Sequence, residues 1–323
     1  MATEKAQREK TRRGTRLLTA AAAVALGLAV AGTQPAAAAT HYPVNYDFAT
    51  GAVAGALTPT KAPLGANDWS CKPSAAHPEA VVLVNGTFGN MSDNWAAASP
   101  LLANNGYCVF AFNYGGSSPN AIFQGTGEIG ASAAQLATFV DQVLAATGTS
   151  KVDLLGHSQG GMMPRYYIKN LGGAAKVDKL VALAPSNNGT TLDGITQLGQ
   201  ALQLLIPVNG LLNGPCAACV EQEVGSPFLT ALNAGGETSP SVTYTVIESV
   251  DDEVVTPYTN AFLPAAPNVT DITLQHQCLL DSTDHLEIAA DPIALTDVLN
   301  ALDPAHPRSV PCEVVLPITG PLF

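Results

Sequence analysis

Residues 151–161 read Lys151-Val-Asp-Leu-Leu-Gly156-His157-Ser158-Gln159-Gly160-Gly161, a short apolar run that ends in the pattern G-x-S-x-G. A helix-like run through Met162, Met163, Tyr166 and Ile168 follows at once. In this strand–turn–helix setting the turn is so tight that the residues two before and two after the serine must be small, and Gly156 and Gly160 stand there. The serine Oγ then projects above a sheet edge, at the N-terminus of a helix whose dipole favours developing negative charge. Alone, G-x-S-x-G is a modest signal in a chain with 29 glycines. Its place between a buried strand and a helix makes it specific, and Ser158 is the candidate nucleophile. His157 is not expected to be its base, because adjacent side chains on so sharp a turn diverge. Packing of the neighbouring loops is the expected role of His157.

Outward from this turn, short β-branched apolar runs alternate with longer helical patterns. The runs are Ala80–Val84, Tyr107–Phe112, Val152–Leu155, Lys179–Leu183 and Val242–Ile247. Glu128–Ala146 carries apolar residues near a helical period, with Thr126-Gly127 and Gly148 as candidate caps. Such alternation implies βαβ units and a mostly parallel sheet covered on both faces, whose ligands bind at the carboxyl edge of the strands. Residues 190–240 fit less well: they hold the Leu-rich stretch Ile195–Leu212, several glycines and a Cys-x-x-Cys pair. They are open to three readings: core helices, a solvent-facing cap or a mobile lid.

Folds built on this turn carry an acid and then a histidine after the nucleophile. Only His276, His285 and His306 follow Ser158. His306 lies in a proline-flanked stretch and reads as surface. His276 alternates with apolar residues in Ile272–Cys278, which reads as a strand, so packing is expected of it. His285 sits in the polar loop Asp281-Ser-Thr-Asp-His, before a helix over Pro292–Leu302, which is where the base belongs. The acid should follow the strand ending at Ile247, where Glu248, Asp251, Asp252 and Glu253 are all available to hold the imidazole in one tautomer. Spacing does not choose among them. Asp284 adjoins His285 and is expected to stabilise the loop. One oxyanion donor is expected to be the backbone N–H of Gln159, and the other to come from Asn85-Gly86-Thr87.

Residues 1–39 read as a secretory signal peptide: Lys5, Arg8, Lys10, Arg12, Arg13 and Arg16, then an apolar run over Leu17–Ala31, then a small-residue end at Ala37-Ala38-Ala39. That apolar run is shorter than the roughly 20 residues of a membrane span, and no later stretch is expected to form an integral membrane segment. Residues 40–323 are expected to form a single domain. They carry 8 Lys/Arg against 24 Asp/Glu, a net charge of −16, which repels nucleic acid and anionic membranes. Cys71, Cys108, Cys216, Cys219, Cys278 and Cys312 all follow the leader, and an even count in an exported chain favours three disulfides. Cys216-Ala-Ala-Cys219 lacks a second ligand pair and any thiolate-stabilising charge, so a tight disulfide is preferred there to zinc or redox chemistry. The Asp251-Asp252-Glu253 cluster lacks the spacing of a calcium loop, there is no His-Glu-x-x-His, and no metal or organic cofactor is expected.

Taken together, Leu83-Val-Asn-Gly-Thr87, Ser92-Asp-Asn-Trp95, Ser158-Gln-Gly-Gly161, Val177-Asp-Lys-Leu180, Ala184-Pro185, Asp252-Glu-Val-Val-Thr-Pro257 and Asp284-His285 resemble secreted actinobacterial lipases of the α/β-hydrolase superfamily. More distantly they are similar to the lipase B of Candida antarctica. The resemblance spans most of residues 65–315. It implies an α/β-hydrolase fold, an extracellular monomer, an ester or lipid substrate, Asp252 as the acid, and support for His285. It also implies that Thr87 lends both N–H and hydroxyl to the oxyanion, and that Cys71 pairs with Cys108 and Cys278 with Cys312, leaving Cys216–Cys219. Residues 190–240 do not align with the family, so the acyl site is not implied. An acyltransferase or a short-chain or polyester esterase would use the same triad; a binding protein on this fold would be marked by a lost triad member, and none is lost.

Overall fold

Strand β3, over Val152–His157, lies near the middle of a six-stranded sheet and ends at the turn carrying Ser158. The computed structural model describes residues 41–205 and 216–322; the leader expected over residues 1–39 and the last part of the Ile195–Leu212 stretch lie outside them. Before β3 come α1 (Phe48–Leu57), β1 (Ala80–Val84), α2 (Met91–Asn94), α3 (Ala98–Asn104), β2 (Val109–Ala111) and α4 (Ile129–Thr147). After it come α5 (Gln159–Asn170), β4 (Val177–Leu183), α6 (Leu192–Leu205), α7 (Ala217–Glu221), α8 (Pro227–Asn233) and β5 (Thr243–Glu248). The chain closes with β6 (Val269–Thr273), α9 (Leu274–Gln277), α10 (Pro292–Leu302) and the short hairpin of β7 (Val315–Leu316) and β8 (Gly320–Pro321).

The strand order is β2-β1-β3-β4-β5-β6, and every neighbouring pair in this sheet runs parallel. Because side chains alternate across a strand, each strand feeds two cores. Val81, Leu83, Leu155, Leu183 and Ile247 pack with Leu102 of α3 and Ile293 and Val298 of α10. Val82, Val84, Leu154, Leu180 and Val246 pack on the other face with Leu136 and Val140 of α4 and Met162 and Tyr167 of α5. Both faces are covered, as the near-continuous apolar strands require.

Three local outcomes differ from the sequence reading. The strand expected over Ile272–Cys278 stops at Thr273, and His276 sits exposed in α9 instead of packing within a strand. The register explains this: Glu248, the last residue of β5, pairs with Thr273, so the ladder has no partner beyond it. The N-cap of α4 is Glu128, with no capping bond from its own side chain. Glu221 of α7 accepts the Ile129 N–H at 2.7 Å instead, a cap supplied from 92 residues away. Finally, α4 is long and apolar enough to cross a membrane, with 19 residues and a window of mean hydropathy 1.2. Its buried face of Ile129, Ala133, Leu136, Val140 and Val143 belongs to the core under the sheet, and its opposite face carries Asp141 and Gln142. That is the pattern of an amphipathic core helix.

All six cysteines are paired, as Cys71–Cys108, Cys216–Cys219 and Cys278–Cys312. The first fastens residue 71 to the start of β2. The last ties the C-terminal segment to the stretch that leads into the His285 loop.

Candidate active site

Ser158 has φ 55° and ψ −125°, a backbone conformation that costs a non-glycine residue roughly 1–3 kcal/mol. The turn is held by the Ser158 N–H, which donates to the Leu183 carbonyl at 2.9 Å. A Cβ on Gly156 would overlap the Gly160 carbonyl, and one on Gly160 would overlap the Val84 carbonyl. Both glycines are therefore sterically required for β1, β3 and α5 to meet beneath the serine.

His285 is fully buried, and its Nδ1 lies 2.7 Å from Asp252 Oδ2. A carboxylate only accepts, so Nδ1 carries the proton and Nε2 presents its lone pair. Nε2 has no hydrogen-bond partner among the described residues, and it belongs to a pocket shared with Ser158, Gly86 and Thr87. Asp252 is fixed by its other oxygen, which accepts the N–H groups of Val254 and Val255 at 2.7 and 2.8 Å. Burial alone would pull the His285 pKa down, but the charge of Asp252 and its hydrogen bond, with Glu253 and Asp284 beyond, raise it above the ordinary value. Of the other candidate acids, Asp251 is exposed, Glu253 receives the His285 backbone N–H at 3.4 Å, and Glu248 is fully buried. Burial, and next the Asp252 charge, hold the Glu248 carboxyl protonated well above the usual range.

His157 is buried, with its pKa pushed down to about 3 by desolvation and then by His285, so it is neutral. Its Nε2 lies 2.8 Å from the His285 carbonyl and its Nδ1 3.1 Å from Asn94 Oδ1. With a single N–H, the neutral ring donates to one of these two oxygens, between the α2 region and the His285 loop, and neither nitrogen bonds Ser158. His306 lies at the surface against Asp303. Asp284 Oδ1 accepts the N–H groups of Glu287 at 2.7 Å and Ile318 at 3.4 Å, which fixes the loop after His285.

Thr87 and Gln159 are both buried. Gln159 is the first residue of α5, where the N–H has no helical acceptor, and no described acceptor takes the Thr87 N–H. The loop is pinned by Asn94, whose Oδ1 accepts the Gly86 N–H at 2.8 Å, and a Cβ on Gly86 would stand 3.0 Å from that of Ser158. These groups form an anion-accepting corner beside the serine. Asn94 and Gln222, which donates to the Thr87 hydroxyl at 2.8 Å, were not singled out from sequence. Of the two, only Asn94 fell inside a quoted motif; nothing local marks Gln222.

Leu198 and Leu202 of α6 line the pocket, together with Phe48 and Leu286. The cavity they leave over Ser158 is about 10 Å³, room for one water at most. Among the described residues, no group of three His, Cys, Asp or Glu side chains is arranged to hold a metal.

Two solved structures share the fold. The lipase B of Aspergillus fumigatus superposes with a TM-score of 0.53 at 20% identity, covering 79% of this chain and 62% of that one. The mature form of the Bacillus licheniformis lipase BlEst2 gives 0.52 at 17% identity, covering 72% and 94%. Both likenesses speak to the α/β-hydrolase fold alone. In sequence, a triacylglycerol lipase of Pseudarthrobacter phenanthrenivorans is 41% identical over 91 residues, 27% of this chain and 27% of the relative's own length. The chain therefore spans about a quarter of the curated relatives it matches. The family described as Lipase (class 2) matches residues 78–294, which takes in the serine turn, Asp252 and His285, and the chain belongs to that family.

Proposed function

We propose that this protein is a serine carboxylic-ester hydrolase, and specifically a secreted triacylglycerol lipase working through Ser158, His285 and Asp252. The observation that carries the reading is convergence: a strained serine turn, a buried imidazole paired to a carboxylate and an anion-accepting corner meet in one pocket. His285 Nε2 takes the proton of Ser158 as Oγ attacks the ester carbonyl, and Asp252 stabilises the imidazolium that forms. The Thr87 and Gln159 N–H groups receive the oxyanion, with the Thr87 hydroxyl as a further donor. The imidazolium then protonates the departing alcohol, and water, activated by the same base, releases the acid. A triacylglycerol as the ester is suggested by the name of the 41%-identical relative.

Residues 1–39 are proposed as the export leader and 40–323 as one catalytic domain acting as a monomer. Residues 40–323 cluster as one compact unit, and six paired cysteines suit an oxidising compartment. Kinship to the secreted actinobacterial lipases and to the Candida antarctica lipase B belongs to this reading too. The small cavity under α6 favours a second reading, an esterase limited to short acyl groups, unless α6 moves.

Hydrolysis rates from acetyl to palmitoyl esters, measured on residues 40–323 beside Ser158→Ala, distinguish these. A maximum at medium or long chains, abolished in the variant, is expected of the lipase. Activity only on the shortest esters selects the esterase. Equal inactivity of both proteins on every ester removes the hydrolase reading and turns attention to acyl transfer to an alcohol acceptor.

A further inference from the structure

Gln222 lies just past α7, is 1% exposed, and its side chain bonds Thr87, Ala218 and Ser186, with no described hydrogen bond to the proposed triad. Its Nε2 donates to Thr87 Oγ1 at 2.8 Å and to the Ala218 carbonyl at 3.1 Å, and its Oε1 accepts from Ser186 Oγ at 2.8 Å. The orientation of the amide follows from these partners. A main-chain carbonyl only accepts, so the amide nitrogen must face Ala218 and therefore also Thr87. Ser186, which can donate or accept, then supplies its proton to Oε1.

This fixes the proton of Thr87. A hydroxyl has one proton and two lone pairs. One lone pair takes the Gln222 N–H, and the other faces the more distant Gln159 Nε2 at 3.4 Å. No described residue accepts the Thr87 O–H, so the proton is left for a ligand in the pocket that Thr87 shares with Ser158. Were the Gln222 amide reversed, its oxygen would draw that proton away from the site.

We infer that Gln222 is a positioning residue that aims the Thr87 hydroxyl at the substrate oxyanion. The inference rests on the oxyanion role of Thr87 proposed above. Gln222 is itself held firmly: the Cys216–Cys219 bond closes the first turn of α7, the Ala218 N–H donates to the Thr126 carbonyl at 3.2 Å, and Glu221 caps α4. The Gln222 backbone adds two bonds, its N–H to Ala218 and its carbonyl from the Thr190 N–H. Through α7, the small disulfide and the N-terminus of α4 are thus joined to the oxyanion corner.

A double-mutant cycle with Thr87→Val tests this, using Gln222→Met to keep length while removing the donor. Deleting an oxyanion donor lowers kcat by roughly 10²–10³-fold, and losing its aim should cost less, about 10- to 30-fold, with KM little changed. In the Thr87→Val background, which has no hydroxyl to aim, Gln222→Met should cost less than about twofold more. An equal loss in both backgrounds, or a loss confined to KM, overturns the inference, as does wild-type activity of Gln222→Met. No loss in Thr87→Val alone overturns the oxyanion role of the hydroxyl itself. Should Gln222→Met fail to fold, Ser186→Ala loosens the same amide and should repeat the pattern at about three- to fivefold.

Discussion

His285 Nδ1 stands 2.7 Å from Asp252 Oδ2, with both side chains sealed from solvent and 33 positions apart in sequence. The loops after β5 and β6 bring them together at the carboxyl edge of the sheet, the edge from which Ser158 projects. Because the other Asp252 oxygen is engaged by two backbone N–H groups, the carboxylate cannot swing away from the ring. The pair is preorganised before substrate arrives.

Asp252→Asn keeps the shape and removes the charge, so kcat should fall by roughly 10³–10⁴-fold. The pH profile should move as well. His285 acts as a base only when neutral, and its pKa is raised above 6.5, so activity should be lost as pH falls through a midpoint above that value. Without the Asp252 charge the acid limb should shift to lower pH. A profile of kcat/KM against pH reads both effects, and an unmoved acid limb would detach Asp252 from the titration of the base.

Glu287, two residues past His285, receives the Phe48 N–H at 3.1 Å and anchors α1 to the base loop. Burial first, and then the charges of Asp284, Asp291 and Asp47, push its pKa up from 4.5 to about 9. A raised carboxyl pKa means that the folded state holds a proton the unfolded chain has released. The stabilisation is therefore complete below pH 4.5 and is lost as pH rises through about 9, at up to about 1.4 kcal/mol per pH unit. Glu287→Gln should flatten the fall of the denaturation midpoint over this range, with the largest gain over wild type at the alkaline end. Parallel midpoint curves for the two proteins would show that another group titrates.

The fold was legible because its signals are local. β1 coincides with the run Ala80–Val84, α10 with Pro292–Leu302, and α4 ends at Gly148 in the left-handed region. The serine turn was legible for the same reason, since Gly156 and Gly160 encode its tightness within five residues. What sequence left open depends on distant partners. Four neighbouring carboxylates were equivalent until the Val254–Val255 turn aimed one of them at His285. The end of β6 depended on where β5 runs out, and the cap of α4 came from Glu221. Gln222 is defined only by Thr87, 135 positions earlier.

The long disulfides should matter more to stability than the short one. Cys71–Cys108 and Cys278–Cys312 span 37 and 34 residues, and Cys216–Cys219 spans 3. Loop-closure entropy assigns about 4 kcal/mol to each long bridge and about 2 to the short one. Urea midpoints of Cys278→Ala/Cys312→Ala and Cys216→Ala/Cys219→Ala should rank in that order. In activity the short bridge should count for more than its stability share, because it braces α7, which leads directly into Gln222. Comparable midpoints for both pairs would rule out the loop-entropy ranking.

Access to Ser158 depends on α6. Leu198 and Leu202 are 2% and 4% exposed and face the pocket, while Leu204 on the same helix is 86% exposed. A cavity of about 10 Å³ does not admit an ester, so the proposed hydrolysis would require α6 to shift and uncover these leucines. An apolar substrate surface would stabilise the shifted helix through the same leucines. Leu202→Ala removes part of the closing contact; it should cost about 2 kcal/mol of stability and raise rates on medium and long acyl esters several-fold. Its preference for emulsified over dissolved substrate should narrow, since less contact has to be broken in solution. Lowered stability with an unchanged chain-length profile and an unchanged emulsion preference would assign Leu202 to packing alone, and the substrate entrance would then lie away from α6.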